Sequence, residues 1–176
     1  MNILNIRQFI EEDAHEYWEL RLSALKECPE AFGASYEEEK DKPLNDVRKR
    51  LKESIESTDS QFILGCFNDE KKLIGMVGLF REWREKMKHK ATIWGMYVLP
   101  EARSKGIGKA LLLEAIIRAK SMEGLEQVHL GVVVTNKEAI KLYKRCGFDV
   151  YGVERKALKL QGRYLDEELM SLDLLK

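Results

Sequence analysis

The sequence predicts an α/β domain in which helices flank a mixed, mostly antiparallel central sheet of about seven strands. Three features lead to this prediction: seven short apolar segments, turns that join neighbouring segments as hairpins, and amphipathic helices between other segments. Strand–helix–strand units mixed with hairpins imply a mixed sheet with helices on its faces. The sequence has no internal repeat, low-complexity segment or flexible linker, so residues 1–176 are expected to form a single domain.

The elements follow in a definite order along the chain. Predicted strands cover residues 2–9, 62–67, 73–80, 91–98, 128–134, 148–159 and 169–174. Helices are predicted from Asp13, as the capping residue, to Pro29, and then over residues 44–55, 106–122 and 139–146. A polar loop covers residues 29–39, and hairpin turns are expected at residues 68–72 and at Gly162. Gly147 is expected to end the last helix in a left-handed turn.

Composition limits the class of protein. Hydrophobic residues make up 44% and charged residues 34% of the chain, as in soluble globular domains, and 30 Lys and Arg balance 30 Asp and Glu. Zero net charge argues against a nucleic-acid-binding protein, because phosphate binding needs a concentrated positive excess. No apolar run approaches the roughly 20 residues of a membrane span, and the N-terminus lacks the order of a secretion signal. The three cysteines, Cys28, Cys66 and Cys146, are expected to be free thiols, so we expect a cytoplasmic protein.

The segment from residue 96 to residue 110 combines a buried strand, a basic Gly-rich turn and the start of an amphipathic helix. Its glycines permit positive φ and close approach of a ligand to the backbone. The free N–H groups and the positive dipole end at the helix start attract an anion. Arg103, Lys105 and Lys109 add positive charge. This turn therefore predicts an anion cradle that suits a pyrophosphate, although a solvated basic loop would have a similar sequence.

Two common phosphate-binding motifs are absent. The chain has no GxxxxGK[ST] loop, and GxGxxG fails because Leu111 stands where its third glycine belongs. An enzyme of nucleoside triphosphates is therefore disfavoured.

Two motifs resemble the GCN5-related N-acetyltransferase (GNAT) family. Arg103-Ser-Lys-Gly106-Ile-Gly108 matches the family signature Q/R-x-x-G-x-G/A, and residues 136–148 match a second block at the expected distance. The closing segment, with Gly162-Arg163-Tyr164-x-Asp166-Glu167, is similar to the last hairpin of many members. The element order matches throughout, so the resemblance covers essentially the whole chain and implies the GNAT fold.

The resemblance implies acetyl-CoA (coenzyme A) as co-substrate and a set of residues that bind it. In the family, the strand before the cradle pairs with pantetheine and polarises the acetyl carbonyl, and the turn binds the pyrophosphate. Carried over by position, the cofactor-binding residues are Met96, Tyr97, Val98, Arg103, Ser104, Lys105, Gly106, Ile107, Gly108, Lys109, Asn136 and Tyr143. Tyr143 matches the general acid that protonates the departing thiolate. From the residues alone, Tyr143 could instead be a core tyrosine, and Asn136 could be a helix N-cap; the block in which Tyr143 stands favours the functional role.

The cysteines and histidines favour direct transfer in a ternary complex. Cys146 lies at a helix C-terminus, where the dipole opposes a thiolate, and Cys66 lies in an apolar strand, so an acetyl-cysteine intermediate is disfavoured. His129 could approach the acceptor side, but a structural role is the simpler interpretation. No metal-ligand spacing is present, and no metal is expected.

The general base is missing at both positions where relatives carry a glutamate. The matching residues here are Thr92 and Gly131, which leaves a water chain or a carboxylate from elsewhere. Glu37, Glu38 and Glu39 lie in the region that lines the acceptor side in the family, and Glu82 ends a neighbouring strand. These acidic residues, above all Glu37, Glu38 and Glu82, are predicted to attract a cationic acceptor, unless they are a solvated surface.

The resemblance implies acetyl transfer from acetyl-CoA to a primary amine of a small molecule, a polyamine, or a peptide or protein. The alternative is a non-catalytic acyl-CoA sensor or interaction module on the same fold. Retention of Tyr143 favours the enzyme, because a sensor needs no proton donor. A homodimer is a habit of the family, and neither a nucleic acid nor a membrane is expected as a partner.

Overall fold

The computed structural model describes residues 4–176, which form five α-helices and one seven-stranded sheet. The strands are β1 (Asn5–Gln8), β2 (Gln61–Phe67), β3 (Leu73–Arg81), β4 (Lys90–Val98), β5 (Gln127–Val133), β6 (Asp149–Leu160) and β7 (Arg163–Asp173). The helices are α1 (Ala14–Glu27), α2 (Tyr36–Glu39), α3 (Leu44–Glu56), α4 (Ile107–Ser121) and α5 (Lys137–Arg145).

The strand order in the sheet is β1-β2-β3-β4-β5-β7-β6. All neighbours are antiparallel except β4 and β5, which are parallel and are connected through α4. The prediction of a mixed, mostly antiparallel sheet of about seven strands flanked by helices is confirmed.

Helices cover both faces of the sheet. On one face α4 and α5 pack over a core that includes Leu111, Ala115 and Phe148. On the other face α1 and α3 pack over a second core. Phe62 and Leu64 of β2 belong to the first core, and the intervening Ile63 belongs to the second. This is why β2 is a continuous apolar run instead of an alternating one.

Several predicted boundaries change. The first strand begins at Asn5, and residues 2 and 3 of the predicted strand lie outside the described residues. The predicted loop over 29–39 contains α2, which begins at a capping box between Ser35 and Glu38. The last strand covers Arg163–Asp173 instead of 169–174, because β7 pairs with both β5 and β6 along its length.

The predicted cap at Asp13 is also corrected. Asp13 does precede α1, but its side chain makes no capping hydrogen bond to that helix. Its carboxylate instead accepts hydrogen bonds from the Arg7 guanidinium, at 2.6 and 2.9 Å, and from the backbone N–H of Ile10. Gly147 has φ +96° and ends α5 as predicted. Among residues 4–176, no helix has both the length and the apolar character that a membrane crossing requires.

Candidate functional site

The parallel strands β4 and β5 separate in the middle of the sheet. Their pairing comprises three residue pairs, from Lys90 opposite Gln127 to Thr92 opposite His129. Beyond these pairs β4 continues to Val98 and β5 continues to Val133, so their facing edges are no longer paired with each other. A wedge-shaped opening between two strands exposes backbone N–H and C=O groups that a ligand can use as strand partners.

A bulge in β4 widens this opening. Gly78 of β3 pairs with Trp94, and Met76 pairs with Tyr97, so β4 has one residue more than β3 in this interval. Gly95, inside the bulge, has φ +63°, a left-handed conformation that favours glycine. Such bulges redirect side chains and backbone groups and are frequent beside active sites.

The opening leads into a cavity of about 320 Å³. Its walls come from β4, β5, α5 and the loop after α1, with two charged side chains, Arg21 and Glu167. The other lining residues are Ala31, Phe32, Gly33, Ala34, Ile93, Trp94, Gly95, Met96, Leu130, Gly131, Val132, Val133, Asn136, Ala139, Leu142 and Tyr143. The cavity therefore brings together Met96, Asn136 and Tyr143, three of the residues predicted from the sequence.

The N-terminus of α4 lies beside this cavity. A Cβ added to Gly108 would lie 3.5 Å from Met96 Cε and 3.4 Å from Leu142 Cδ2, both in residues of the cavity wall. The helix begins after Gly106, which has φ +79°, has no side-chain cap and carries no acidic residue in its first turn. Ser104 is also left-handed, with φ +62°. The first N–H groups of α4 thus lack a capping side chain, which is compatible with anion binding, and the anion cradle itself stays a prediction.

Two of the three basic side chains of this turn, Arg103 and Lys105, make protein contacts. Arg103 forms a 2.9 Å ion pair with Glu27 and donates from Nε to the carbonyl oxygen of Val98. Lys105 Nζ donates to the carbonyl oxygen of Glu101 at 3.0 Å, and Lys109 is exposed. Any anion at this turn would therefore be held mainly by backbone amides, and Arg103 would hold the turn against β4.

Tyr97 and Ile107 face away from the opening. The Tyr97 side chain is buried in the core under α1, and its hydroxyl donates a short hydrogen bond to Glu27. Ile107 is 4% exposed and packs in the core under α4. Both could contribute only backbone groups to a ligand, whereas Val98 lies on the strand edge next to Gly108.

Asn136 and Tyr143 lie on the first and last turns of α5. Asn136 Oδ1 accepts a hydrogen bond from the N–H of Ala139 at 3.2 Å, so Asn136 is the N-cap of α5. Asn136 also lines the cavity. Tyr143 packs edge-on against Phe148 and also lines the cavity. Burial raises the pKa of Tyr143 to about 12, so its hydroxyl stays protonated over the physiological range. A protonated hydroxyl at the cavity wall can donate a proton or a hydrogen bond.

Glu167 is the residue that the sequence alone does not indicate as functional. It lies on β7, opposite Val133 of β5, and its carboxylate extends over Gly131. A Cβ added to Gly131 would be only 2.8 Å from Glu167 Oε2. The carboxylate therefore fills the space beside Gly131, one of the two positions at which the family resemblance leads us to expect a glutamate. The register of β5 with β7, which no local pattern reveals, is what places it there.

The environment of Glu167 makes it more basic than an ordinary glutamate. Burial, together with the negative charge of Glu154 on the neighbouring strand, raises the pKa of the Glu167 carboxyl above its usual range. A raised pKa brings a carboxylate closer to the value at which general-base catalysis is most efficient near neutral pH.

The acidic residues predicted to bind the acceptor do not line the cavity. Glu37 pairs with Lys40, and Glu38 accepts hydrogen bonds from the N–H and hydroxyl of Ser35. Glu39 faces Lys42 and Arg21, at 3.1 and 3.8 Å. Glu82 directly follows β3, and its backbone N–H donates to the carbonyl oxygen of Lys90. Their role as acceptor-binding residues stays a prediction, with no cavity contact to support it.

The remaining candidate groups have structural surroundings. His129 contacts Gln127 Oε1 at 3.0 Å and the Tyr151 hydroxyl at 3.3 Å, and burial lowers its pKa. Cys66 is fully buried, and burial raises the pKa of its thiol to about 11. Burial also raises the pKa of Cys146. Neither thiol is activated as a nucleophile.

Comparison with known proteins agrees with this architecture. A spermidine N(1)-acetyltransferase of Vibrio cholerae is 30% identical over 101 residues, 57% of this chain and 57% of the relative. The L-amino acid N-acetyltransferase AaaT of Escherichia coli is 27% identical over 109 residues, 62% of this chain and 65% of the relative. The chain thus spans less than two thirds of the length of these curated relatives.

The fold is shared with solved acetyltransferase structures. The structure of yncA from Salmonella typhimurium, with its cofactor acetyl-CoA, superposes with a TM-score of 0.83 at 20% identity, over 98% of this chain and 94% of that one. The sequence model of the acetyltransferase (GNAT) family matches residues 10–148, which include the cradle, the diverging strands and α5. The chain therefore belongs to the acetyltransferase (GNAT) family.

Proposed function

We propose that this chain transfers an acetyl group from acetyl-CoA to a primary amine, by direct attack in a ternary complex. The observation that carries the proposal is the opening between β4 and β5, with the Tyr143 side chain on one wall of its cavity and the Glu167 carboxylate on another. A proton donor and a basic carboxylate on one cavity are what aminolysis of a thioester requires.

The coenzyme would lie across the N-terminus of α4 and along β4. The free N–H groups that follow Ser104 would bind the pyrophosphate, and the unpaired edge of β4 from Met96 to Val98 would pair with the pantetheine arm. Asn136, at the start of α5, faces the same cavity and would contact this arm. The co-substrate supplies an acetyl group activated as a thioester.

The residues of the cavity divide the proton transfers between them. Glu167 would accept a proton from the acceptor ammonium, because an alkyl amine with a pKa of about 10.4 is protonated at neutral pH and cannot attack in that form. Backbone N–H groups at the β4 bulge would stabilise the negative charge that develops on the acetyl oxygen as the new C–N bond forms. Tyr143 would donate a proton to the sulfur as the C–S bond breaks. The attacking nitrogen loses its second proton as the C–S bond breaks, which restores the Tyr143 hydroxyl, and Glu167 passes the first proton to solvent. Each acetyl transfer from an ammonium therefore releases one proton in total.

An acyl-CoA sensor explains these cavity residues less well than an acetyltransferase does. A binding module needs the cradle and the strand edge, but it has no use for a carboxylate with a raised pKa beside a protonated tyrosine. The relatives' names, which concern spermidine and L-amino acids, support an amine as acceptor.

The test is release of free thiol from acetyl-CoA in the presence of a panel of amines, which includes polyamines, amino acids, amino sugars and peptides. We expect amine-dependent release that falls in Tyr143→Phe and Glu167→Gln. Tyr164→Phe and Glu138→Gln are matched controls, because both side chains are exposed and lie outside the cavity. Tight acetyl-CoA binding without release for any amine would support the sensor instead.

A further inference from the structure

Arg21 is a buried cation whose Nε lacks a hydrogen-bond acceptor in the part of the chain that the structure describes. It lies on α1, is 7% exposed, and lines the same cavity as Glu167. Within residues 4–176, its Nε is buried and has no hydrogen-bond acceptor. The carboxylate of Glu39 lies 3.8 Å from Nε, beyond hydrogen-bond distance.

The surroundings of Arg21 hold more positive than negative charge. Glu39 is shared with Lys42, whose Nζ is closer to it, at 3.1 Å. Arg21 and Arg50 both stack on the Trp94 ring, at 5.6 and 4.6 Å from its centroid. Three cations thus face one carboxylate at this end of the cavity.

The head group of Arg21 is directed at the bulge of β4. Its Nη1 would be 3.9 Å from a Cβ added to Gly95, which lines the cavity. Because Gly95 has no side chain, nothing from that residue stands between the guanidinium and the opening. Two further donors on the same helix, the Tyr17 hydroxyl and Trp18 Nε1, are also buried without an acceptor.

Packing alone does not account for this arrangement. Burial lowers the pKa of Arg21, which means that its charged form is destabilised where it stands. The Nε–H group of Arg21 is a buried donor without an acceptor among the described residues, and leaving such a donor unpaired costs stability. Such a cost is typical of a group that is completed by a ligand.

We propose that Arg21 binds the carboxylate of the acceptor, and that the acceptor is therefore an α-amino acid or a close analogue of one. The planar guanidinium would pair with the carboxylate, and the amine of the same molecule would face Glu167 across the cavity. This inference rests on the proposed acetyl transfer and names its substrate class. A polyamine offers no anion to Arg21, and the positive charges of Arg21, Arg50 and Lys42 would repel its ammonium groups.

The acceptor test uses three matched molecules. The twenty L-amino acids are screened by thiol release, and the best acceptor is compared with its carboxamide and with the amine that decarboxylation leaves; spermidine is assayed beside them. We expect the amino acid to have the highest kcat/KM and the other two to lose roughly 10–150-fold, the range for a lost hydrogen bond to a charged group. Equal rates for all three, or transfer to spermidine only, overturns the inference and leaves the proposed function intact.

The variant test keeps the fold. In Arg21→Met a long apolar side chain replaces the buried cation, and Lys42 still pairs with Glu39, so the melting temperature should not fall. We expect the amino-acid KM to rise by the same 10–150-fold, while the KM of the decarboxylated amine stays unchanged and Arg21→Lys recovers only part of the loss. Arg48→Gln, an exposed charge removal on α3, is the control. An unchanged amino-acid KM in Arg21→Met refutes the carboxylate site.

A binding measurement separates this inference from the proposed function. Trp18 and Trp94 flank the guanidinium, so occupancy should change tryptophan fluorescence when the twenty amino acids are titrated individually in the presence of coenzyme A. Saturable binding that is lost in Arg21→Met supports the carboxylate site even if no acetyl transfer occurs. Transfer to amines together with amino-acid binding that ignores Arg21 contradicts it.

Discussion

Replacing Gly131 by alanine should displace the proposed base while the fold is retained. The added Cβ would lie 2.8 Å from Glu167 Oε2, so the carboxylate must retreat by about 0.6 Å to reach the 3.4 Å at which ordinary contact begins. Because the obstructing atom is the end of a flexible side chain, the side chain moves and the strands do not. Gly131 does not have a positive φ, so its backbone conformation tolerates alanine. Alanine also restricts the unfolded chain, which should raise the free energy of unfolding by about 0.4–1 kcal/mol.

The kinetic magnitude follows from the displacement. A misplacement of about 1 Å at a reacting group costs about 10²-fold, so a shift of about 0.6 Å should lower kcat by roughly 10–100-fold, or about 1.4–2.7 kcal/mol. The KM for acetyl-CoA should not change, since the atoms nearest to the added Cβ all belong to Glu167 and none belongs to the Gly-rich turn. The assay is steady-state thiol release with the best amine, with thermal unfolding measured in parallel.

Two further variants test whether the fall in kcat comes from displacement of the Glu167 carboxylate. Gly152→Ala on β6 is the control, because the closest atom to its added Cβ is 3.9 Å away, on Leu169. When Glu167→Gln is already present, adding Gly131→Ala should lower kcat little further, because both changes act through one carboxylate. A folded Gly131→Ala enzyme with wild-type kcat, under conditions where chemistry limits the rate, would refute the role of Glu167.

Three other outcomes are expected. Tyr143→Phe should lower kcat by about 10²–10⁴-fold with little change in coenzyme affinity, as measured by steady-state kinetics and calorimetric titration; normal turnover would leave Tyr143 a core residue. The acidic limb of the kcat/KM pH profile should lie above the usual glutamate pKa and should move to lower pH in Glu154→Gln, since a negative charge that raises the pKa of Glu167 is removed; a limb that does not move contradicts this. Gly108→Val should raise the KM for acetyl-CoA, because its methyl groups enter the groove beside Met96, whereas Gly106→Val confounds the test with strain at φ +79°.

The sequence by itself determined the order of the elements and the position of the Gly-rich turn before α4. Helical and strand periodicity are local properties, and they locate α1, α3, α4 and the hairpin β2–β3 to within a few residues. The Gly-rich turn before α4 and the block around Tyr143 are likewise contiguous, so their motifs can be read without any knowledge of packing. The family model, which matches residues 10–148, confirms the family that these motifs predicted.

Only the tertiary structure decided which charged groups face the cavity. Glu167 reaches Gly131 because of the register between β5 and β7, and Arg21 reaches Gly95 because α1 crosses the bulge of β4. Glu37 and Glu38, which the sequence predicted to bind the acceptor, have other partners. Glu37 pairs with Lys40, and Glu38 accepts a hydrogen bond from the N–H of Ser35. Residues far apart in the chain meet only through strand register and helix packing, and these depend on the whole core instead of on any local pattern.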